Sequence, residues 1–259
     1  MGFESFWVPE HGIIPVKRTS PFPGSADGSL PDYYKRTVDP FVALARASAV
    51  TKTIKLGTGI CLVPERNPLL LAKEVATLDY LSNGRFIFGI GAGWLKEESE
   101  IMGADFPHRW TQTHEAIMAM KELWTRDEAE YHGKYYDFPP VRSFPKPVQK
   151  PHPPIFLGSL GSRNVFKRVV RWGDGWMPTR SSLEEIRQGR ATLNELAEQA
   201  GRDPQSIDVM VFGSSGKFRD RESINDMEEA GANRITVWLT HTVGDEALKD
   251  MEEIARQVL

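Results

Sequence analysis

Short apolar runs alternate with longer stretches of helical period along nearly the whole chain. Runs rich in Val, Ile, Phe and Trp predict strands at 5–9, 54–60, 85–90, 155–158, 175–179, 207–213 and 234–240. Apolar positions spaced by three and four residues predict helices at 39–50, 68–81, 112–126, 162–172, 182–200, 223–230 and 245–258. Strand and helix in regular succession demand a parallel sheet, because each crossover must return the chain to the same end. The best-signalled unit runs from Gly57 to Trp94. Its helix opens at Asn67-Pro68, an N-cap followed by proline in the first turn, and stops at Ser82-Asn83-Gly84, where positive φ is expected. Glycines close both of its strands (Gly57 and Gly59, then Gly89, Gly91 and Gly93) and leave room for a ligand at the carboxyl ends, where parallel barrels place their chemistry.

Seven strands are one short of a closed barrel of eight. Gly2-Phe3-Glu4-Ser5 reads as the tail of a helix turning into a strand, so the expected fold is a single α/β domain over 1–259, a (β/α)8 TIM barrel lacking its first β/α unit at the N-terminus. Open edges at the strands starting at Ser5 and Arg234 would then favour contact with a second copy, and a homodimer is expected. An open sheet of another fold is the alternative. Two irregular segments, 12–32 and 130–154, interrupt the pattern with proline and glycine; both are expected to cover the mouth as lids, the second with a small hairpin at 131–136.

Composition narrows the function. With 40% hydrophobic residues, 26% charged and a net charge of −3, the 259-residue chain can bury a large core but carries no basic patch for nucleic acid or an anionic membrane surface. A small-molecule substrate is expected. The one cysteine, Cys61, forms no internal disulfide, and no apolar stretch is long enough to span a bilayer, so a reducing cytoplasm is the expected location. Cys61 lies past a buried strand with no basic neighbour, which favours inert packing over catalysis. His108, His114, His132, His152 and His241 show no metal-ligand spacing, and no metal is expected.

Among candidate chemical groups, His11 at a strand end is suited to acid/base work, since imidazole exchanges protons near neutral pH, and the adjacent Glu10 is positioned in sequence to orient it. Gly158, Ser159, Gly161, Ser162 and Arg163 lead into a helix whose amides would cradle a phosphate, with Arg163 adding charge; a plain N-cap at Ser162 is the bland reading. Trp94 either stacks on a ligand or caps the core. Arg66 and Arg85 are expected to anchor loops and helix ends.

Phe6-Trp7-Val8-Pro9-Glu10-His11, the run from Gly57 to Trp94, the HPPIFLGSLG of 152–161 and Gly173-Asp174-Gly175-Trp176 occur in this order, and together they make the chain resemble the luciferase-like monooxygenase superfamily, specifically its coenzyme F420-dependent oxidoreductases. The resemblance covers almost the whole chain, apart from the family's first strand and helix. It implies a barrel binding F420, or alternatively FMN, and hydride transfer to or from a small organic molecule. Thr58, Gly59 and Ile60 would lie behind the cofactor ring, with a non-proline cis peptide at Gly59-Ile60; Glu97 would contact the cofactor, and Thr179 would join the phosphate site. An acidic residue stands at the position of Trp94 in the family's sugar-phosphate dehydrogenases, which disfavours that substrate. Two further readings stay open: an FMN-dependent monooxygenase fed by a flavin reductase, and a non-catalytic flavin-binding or scaffold protein.

Overall fold

The computed structural model describes residues 1–214, 216–241 and 243–259. It contains two compact units, one of residues Ser5–Pro153 and one joining Met1–Glu4 to Pro154–Leu259.

In the first unit the order is β1 (Ser5–Val8), α1 (Pro40–Val50), β2 (Lys55–Thr58), β3 (Cys61–Leu62), α2 (Pro68–Ser82), β4 (Phe86–Gly91), α3 (Lys96–Ile101), α4 (Arg109–Thr125), β5 (Ala129–His132) and β6 (Asp137–Val141). β1, β2 and β4 run parallel, with Phe6 opposite Leu56 and Leu56 opposite Phe86. The peptide between Gly59 and Ile60 is cis, as the resemblance implied. It separates β2 from the two-residue β3, which continues the ladder along β4. All six residues of β4 are buried, as a strand covered on both faces requires. The signals that bounded α2 act as expected: the Asn67 side chain accepts from the Leu69 and Leu70 amides, and the helix ends at Asn83 (φ 57°) and Gly84 (φ 76°).

The second unit repeats the alternation through β7 (Ile155–Gly158), α5 (Arg163–Trp172), β8 (Gly175–Met177), α6 (Leu183–Gln199), β9 (Asp208–Phe212), α7 (Arg221–Glu229), β10 (Arg234–Thr236) and α8 (Gly244–Val258). β7, β8, β9 and β10 form parallel neighbours in that order. Trp176 on β8 is fully buried, edge-on to Phe166, and fills a notch that α6 opens at Gly189. Among the described residues, no helix is long and apolar enough to cross a membrane.

Two expectations need correction. Gly57 was read as space for a ligand, yet a Cβ there would sit 2.2 Å from the Trp7 ring, so the missing side chain accommodates a neighbouring indole. Segment 139–154 was read as a cover over the mouth. Instead Gln149 hydrogen-bonds the Asp79 carboxylate through its amide (3.0 Å) and side chain (2.6 Å), and donates to the Phe86 carbonyl (2.7 Å) at the start of β4. That is the opposite end of the strands. The buried Asp79 carboxylate needs donors, and this segment brings them. Only the hairpin tip reaches toward the start of α4, where the Tyr135 and Tyr136 amides donate to Glu115 and the Tyr135 hydroxyl lies 3.0 Å from Asp105. Segment 12–32, by contrast, does cover the carboxyl ends of β1 and β4, as described below.

A charge network around the buried Glu10 holds those ends. Glu10, just past β1, accepts from the Leu62 amide (2.6 Å) and pairs with the Arg66 guanidinium, which also reaches Asp39 (2.8 Å) at the cap of α1 and Glu74 (3.1 Å) on α2. Burial opposes the Arg66 charge, but Glu10 and the other acidic groups together outweigh it and hold the guanidinium firmly protonated. Arg85 likewise caps carbonyls at the end of α1 (Ser48 and Thr51) and of α2 (Ser82). Both arginines are the anchors the sequence suggested. Next to this network, Glu65 is only 7% exposed and accepts from Ser99 Oγ (2.7 Å); burial first, then the charges of Glu98 and Glu10, push its carboxyl up to about 8.

Replacing Gly57 with alanine is expected to cost about 1–3 kcal/mol by forcing the Trp7 indole from its seat; a denaturant midpoint equal to that of the parent would refute the packing role. Glu65 keeps a proton in the folded chain that the unfolded chain releases above its ordinary value of 4.5, so stability should fall as pH rises from about 4.5 through 8. Glu65→Gln should flatten this loss, seen as a melting temperature several degrees less sensitive to the step from pH 6 to pH 9. Parallel pH curves for the two proteins would contradict it.

Candidate active site

His11 and Glu10 follow β1, and their side chains meet different partners. Glu10 meets Arg66. His11 Nδ1 lies 2.6 Å from Glu98 Oε2, with the two side chains 6% and 1% exposed. The expectation that Glu10 orients His11 is therefore corrected: Glu10 is fully engaged with Arg66 and the Leu62 amide. Glu98, on the first turn of α3, carries no sequence signal beyond its nearness to a glycine-rich strand end. Its other oxygen accepts from the Ile13 amide at 3.3 Å.

The neighbouring Glu97, expected at the cofactor, fastens segment 12–32. Its Oε1 accepts from the Thr19 amide (2.5 Å), the Thr19 hydroxyl (2.7 Å) and the Ser20 amide (3.1 Å). These donors, the Thr19 amide foremost, hold its carboxyl well below the ordinary carboxylate range. Its Oε2 is buried with no protein partner.

Aromatic rings close around the imidazole. Tyr34 lies 5.1 Å and Trp94 5.9 Å from His11 between centroids, and Phe22, from the covering segment, packs edge-on between Tyr34 (4.8 Å) and Trp94 (5.5 Å). Trp94 thus belongs to the wall around His11. Phe22 and Tyr34 were missed by sequence reading because they sit in an irregular segment without period. Beside them opens a cavity of about 640 Å³ lined by His11, Ile13, Ile14, Arg18, Leu30 and Tyr34.

At the end of β2, the buried Thr58 hydroxyl donates to the Gly89 carbonyl (2.7 Å), and the Gly59 amide to the Val8 carbonyl (2.8 Å). Thr58 therefore ties strands together through its side chain. Gly59 and Ile60 are half-buried beyond it. Cys61 is fully buried, and burial followed by the charge of Glu10 raises its thiol well above the ordinary value, in keeping with inert packing.

In the second unit, Gly158, Ser159 and Gly161 link β7 to α5, and Ser162 caps the helix by accepting from the Val165 amide (3.3 Å). Trp176 Nε1 donates to the Ser159 carbonyl (2.9 Å), and a Cβ on Gly161 would meet the Phe166 and Trp176 rings at 3.1 Å, so the loop lies flat on these two side chains. A helix start leaves main-chain N–H groups without intrahelical acceptors, and Ser162 satisfies one of them. The first turn of α5 contains no acidic residue to neutralise its positive end. Arg163 departs from expectation: its guanidinium pairs with Glu195 on α6 at 2.9 Å rather than adding charge to the loop. Thr179 bridges to Phe212 beyond the end of β8.

Each unit by itself offers a feature that suits part of a flavin-type cofactor: in the second, a helix start free of carboxylates for a phosphate; in the first, a buried carboxylate oxygen, Glu97 Oε2, still lacking a donor.

Comparison with known proteins agrees with this geometry. An uncharacterized protein of Mycobacterium tuberculosis is 38% identical over 260 residues, covering 99% of this chain and 89% of that protein. The FMNH(2)-dependent dimethylsulfone monooxygenase of Pseudomonas putida is 33% identical over 204 residues (71% of this chain, 56% of that one), and the F420-dependent glucose-6-phosphate dehydrogenase of Amycolatopsis mediterranei 27% over 228 residues (86% and 63%). The coenzyme F420 dependent tetrahydromethanopterin reductase of Methanopyrus kandleri superposes with a TM-score of 0.78 at 19% identity, over 99% of this chain and 90% of that one, and establishes the luciferase-like TIM-barrel fold class. The family model for luciferase-like monooxygenases matches residues 1–249, and this chain belongs to that family of flavin- and F420-dependent oxidoreductases and monooxygenases.

Proposed function

We propose that this chain transfers a hydride between coenzyme F420 and a small organic substrate, with His11 handling the accompanying proton. The observation that carries the reading is the enclosed imidazole: one nitrogen is engaged by a buried carboxylate, two aromatic rings pack against it, and a cavity opens beside it. When bound, the deazaflavin ring would supply the hydride chemistry. The chain's own residues do the rest. Amides at the start of α5 would hold the cofactor phosphate, Gly59 and Ile60 would present backbone to its ring, and Glu97 fastens the segment that covers His11. Thr58 and Trp94 shape the walls, and Gly158, Ser159, Gly161, Ser162 and Thr179 make up the phosphate end.

A second reading, an FMN-dependent monooxygenase supplied with reduced flavin by a reductase, is supported by the 33% identity to the dimethylsulfone monooxygenase. Titrating the purified protein with F420 and with FMN, followed by fluorescence quenching, separates the two. Micromolar binding of F420 with weaker FMN binding is expected. The reverse order favours monooxygenation, and binding of neither defeats both readings.

His11→Ala should lower turnover by roughly 10²–10⁴-fold while changing cofactor affinity far less, since its task is proton transfer. Equal loss in both quantities would count against that task. Gly161→Leu should weaken cofactor binding at least tenfold, because the side chain lifts the loop off Phe166 and Trp176 and misaligns its amides; an unaltered dissociation constant would show that the phosphate binds elsewhere.

A further inference from the structure

We propose that Glu98 is the positioning residue of His11: its carboxylate fixes the imidazole with a proton on Nδ1 and leaves Nε2 as the nitrogen that exchanges protons at the cavity. The importance of this for turnover rests on the oxidoreductase reading; the arrangement of the ring does not.

Three observations carry it. The Nδ1 to Oε2 distance of 2.6 Å is that of a strong, charge-assisted hydrogen bond between two side chains almost sealed from solvent. A carboxylate only accepts, so a neutral imidazole facing it must donate from Nδ1, and the hydrogen bond at one ring nitrogen sets the state of the other. The carboxylate itself cannot swing away, because its second oxygen accepts from the Ile13 amide, two residues beyond His11. The same segment thus delivers both donors to one glutamate.

The other nearby carboxylates are occupied differently. Glu10 is bound to Arg66 and Leu62, Glu97 to Thr19 and Ser20, and Glu65 to Ser99. Glu65 retains its own proton to about pH 8 through burial and the adjacent negative charge. Consecutive residues on α3 therefore divide the labour: Glu97 fastens the covering segment, and Glu98 fixes the imidazole beneath it. Opening the segment near Ile13 would remove one of the two holds on Glu98.

The test is a long-range ¹H–¹⁵N spectrum of protein labelled with [¹⁵N]histidine, read at a pH where His11 carries a single ring proton, with His11 assigned by its disappearance in His11→Asn. In the parent, His11 should show a protonated Nδ1 and an unprotonated Nε2. Glu98→Leu, and Glu98→Ala as a second variant, should move the proton predominantly to Nε2, the form an unrestrained imidazole favours. Removing one member of a buried pair is destabilising, so a thermal melt checks that each variant remains folded before its spectrum is read. A parent with the proton on Nε2, or a folded Glu98 variant that keeps the parental pattern, overturns the proposal. No cofactor is needed for this spectrum, so its result is separable from failure of F420 or FMN to bind. Where turnover is observed, Glu98→Leu should reduce kcat roughly 10²-fold with the cofactor dissociation constant unchanged, as expected when a catalytic group is misplaced by about 1 Å.

Discussion

The buried pairing of Glu10 with Arg66 is the constraint on which the catalytic end of the first unit depends. A carboxylate at 7% exposure is costly without compensation, and Arg66 together with the Leu62 amide satisfies it. Because the same guanidinium also holds Asp39 and Glu74, the pairing ties the end of β1 to β3, to the cap of α1 and to the flank of α2. The pair thus secures the stretch of chain that carries His11, and Glu98 holds the imidazole itself.

Acidic groups near that pair are sorted by their surroundings. Glu10 has a full cationic partner, Glu97 has three hydrogen-bond donors and an anionic character to match, and Glu65 has a single hydroxyl and keeps its proton well above the ordinary range. Several buried glutamates within one loop cluster would repel one another if all were ionised. Holding one of them neutral reduces that repulsion while leaving Glu98 to meet the histidine.

Glycine has two meanings in this chain. Gly57 yields to the Trp7 ring and Gly189 to Trp176, so in both cases the absent side chain is filled by a neighbour's indole. Gly161 combines the roles, pressing its loop against Phe166 and Trp176 so that the following helix start is held in place. A rigid aromatic floor under a phosphate loop offers preorganised amides, whose value for binding lies in requiring no rearrangement. Arg163, which by type would suit an anion, is drawn away by the nearer carboxylate of Glu195.

Local rules were sufficient for the seven expected strands and seven expected helices, but not for the six-residue α3 or the two-residue β3, which are too short to show a period. Apolar period, Asn67-Pro68, and the positive-φ pair Asn83-Gly84 set the limits of α2 to within a residue, and each of the seven expected strands forms. These features depend on neighbours within a few positions, so they can be read directly from order. Membership of the family was legible for the same reason, since its motifs are contiguous. Partnership was not. His11 meets Glu98 across 87 positions, Arg66 meets Glu10 across 56, and Gln149 meets Asp79 across 70. Which carboxylate finds which donor depends on the path of the intervening chain and on how much water burial removes, and neither quantity exists until the strands are side by side. The sequence determined that a histidine stands at a strand end beneath a covering segment; only the tertiary structure decided which glutamate holds it, because folding brings distant charges together while the neighbour in sequence is claimed by another partner.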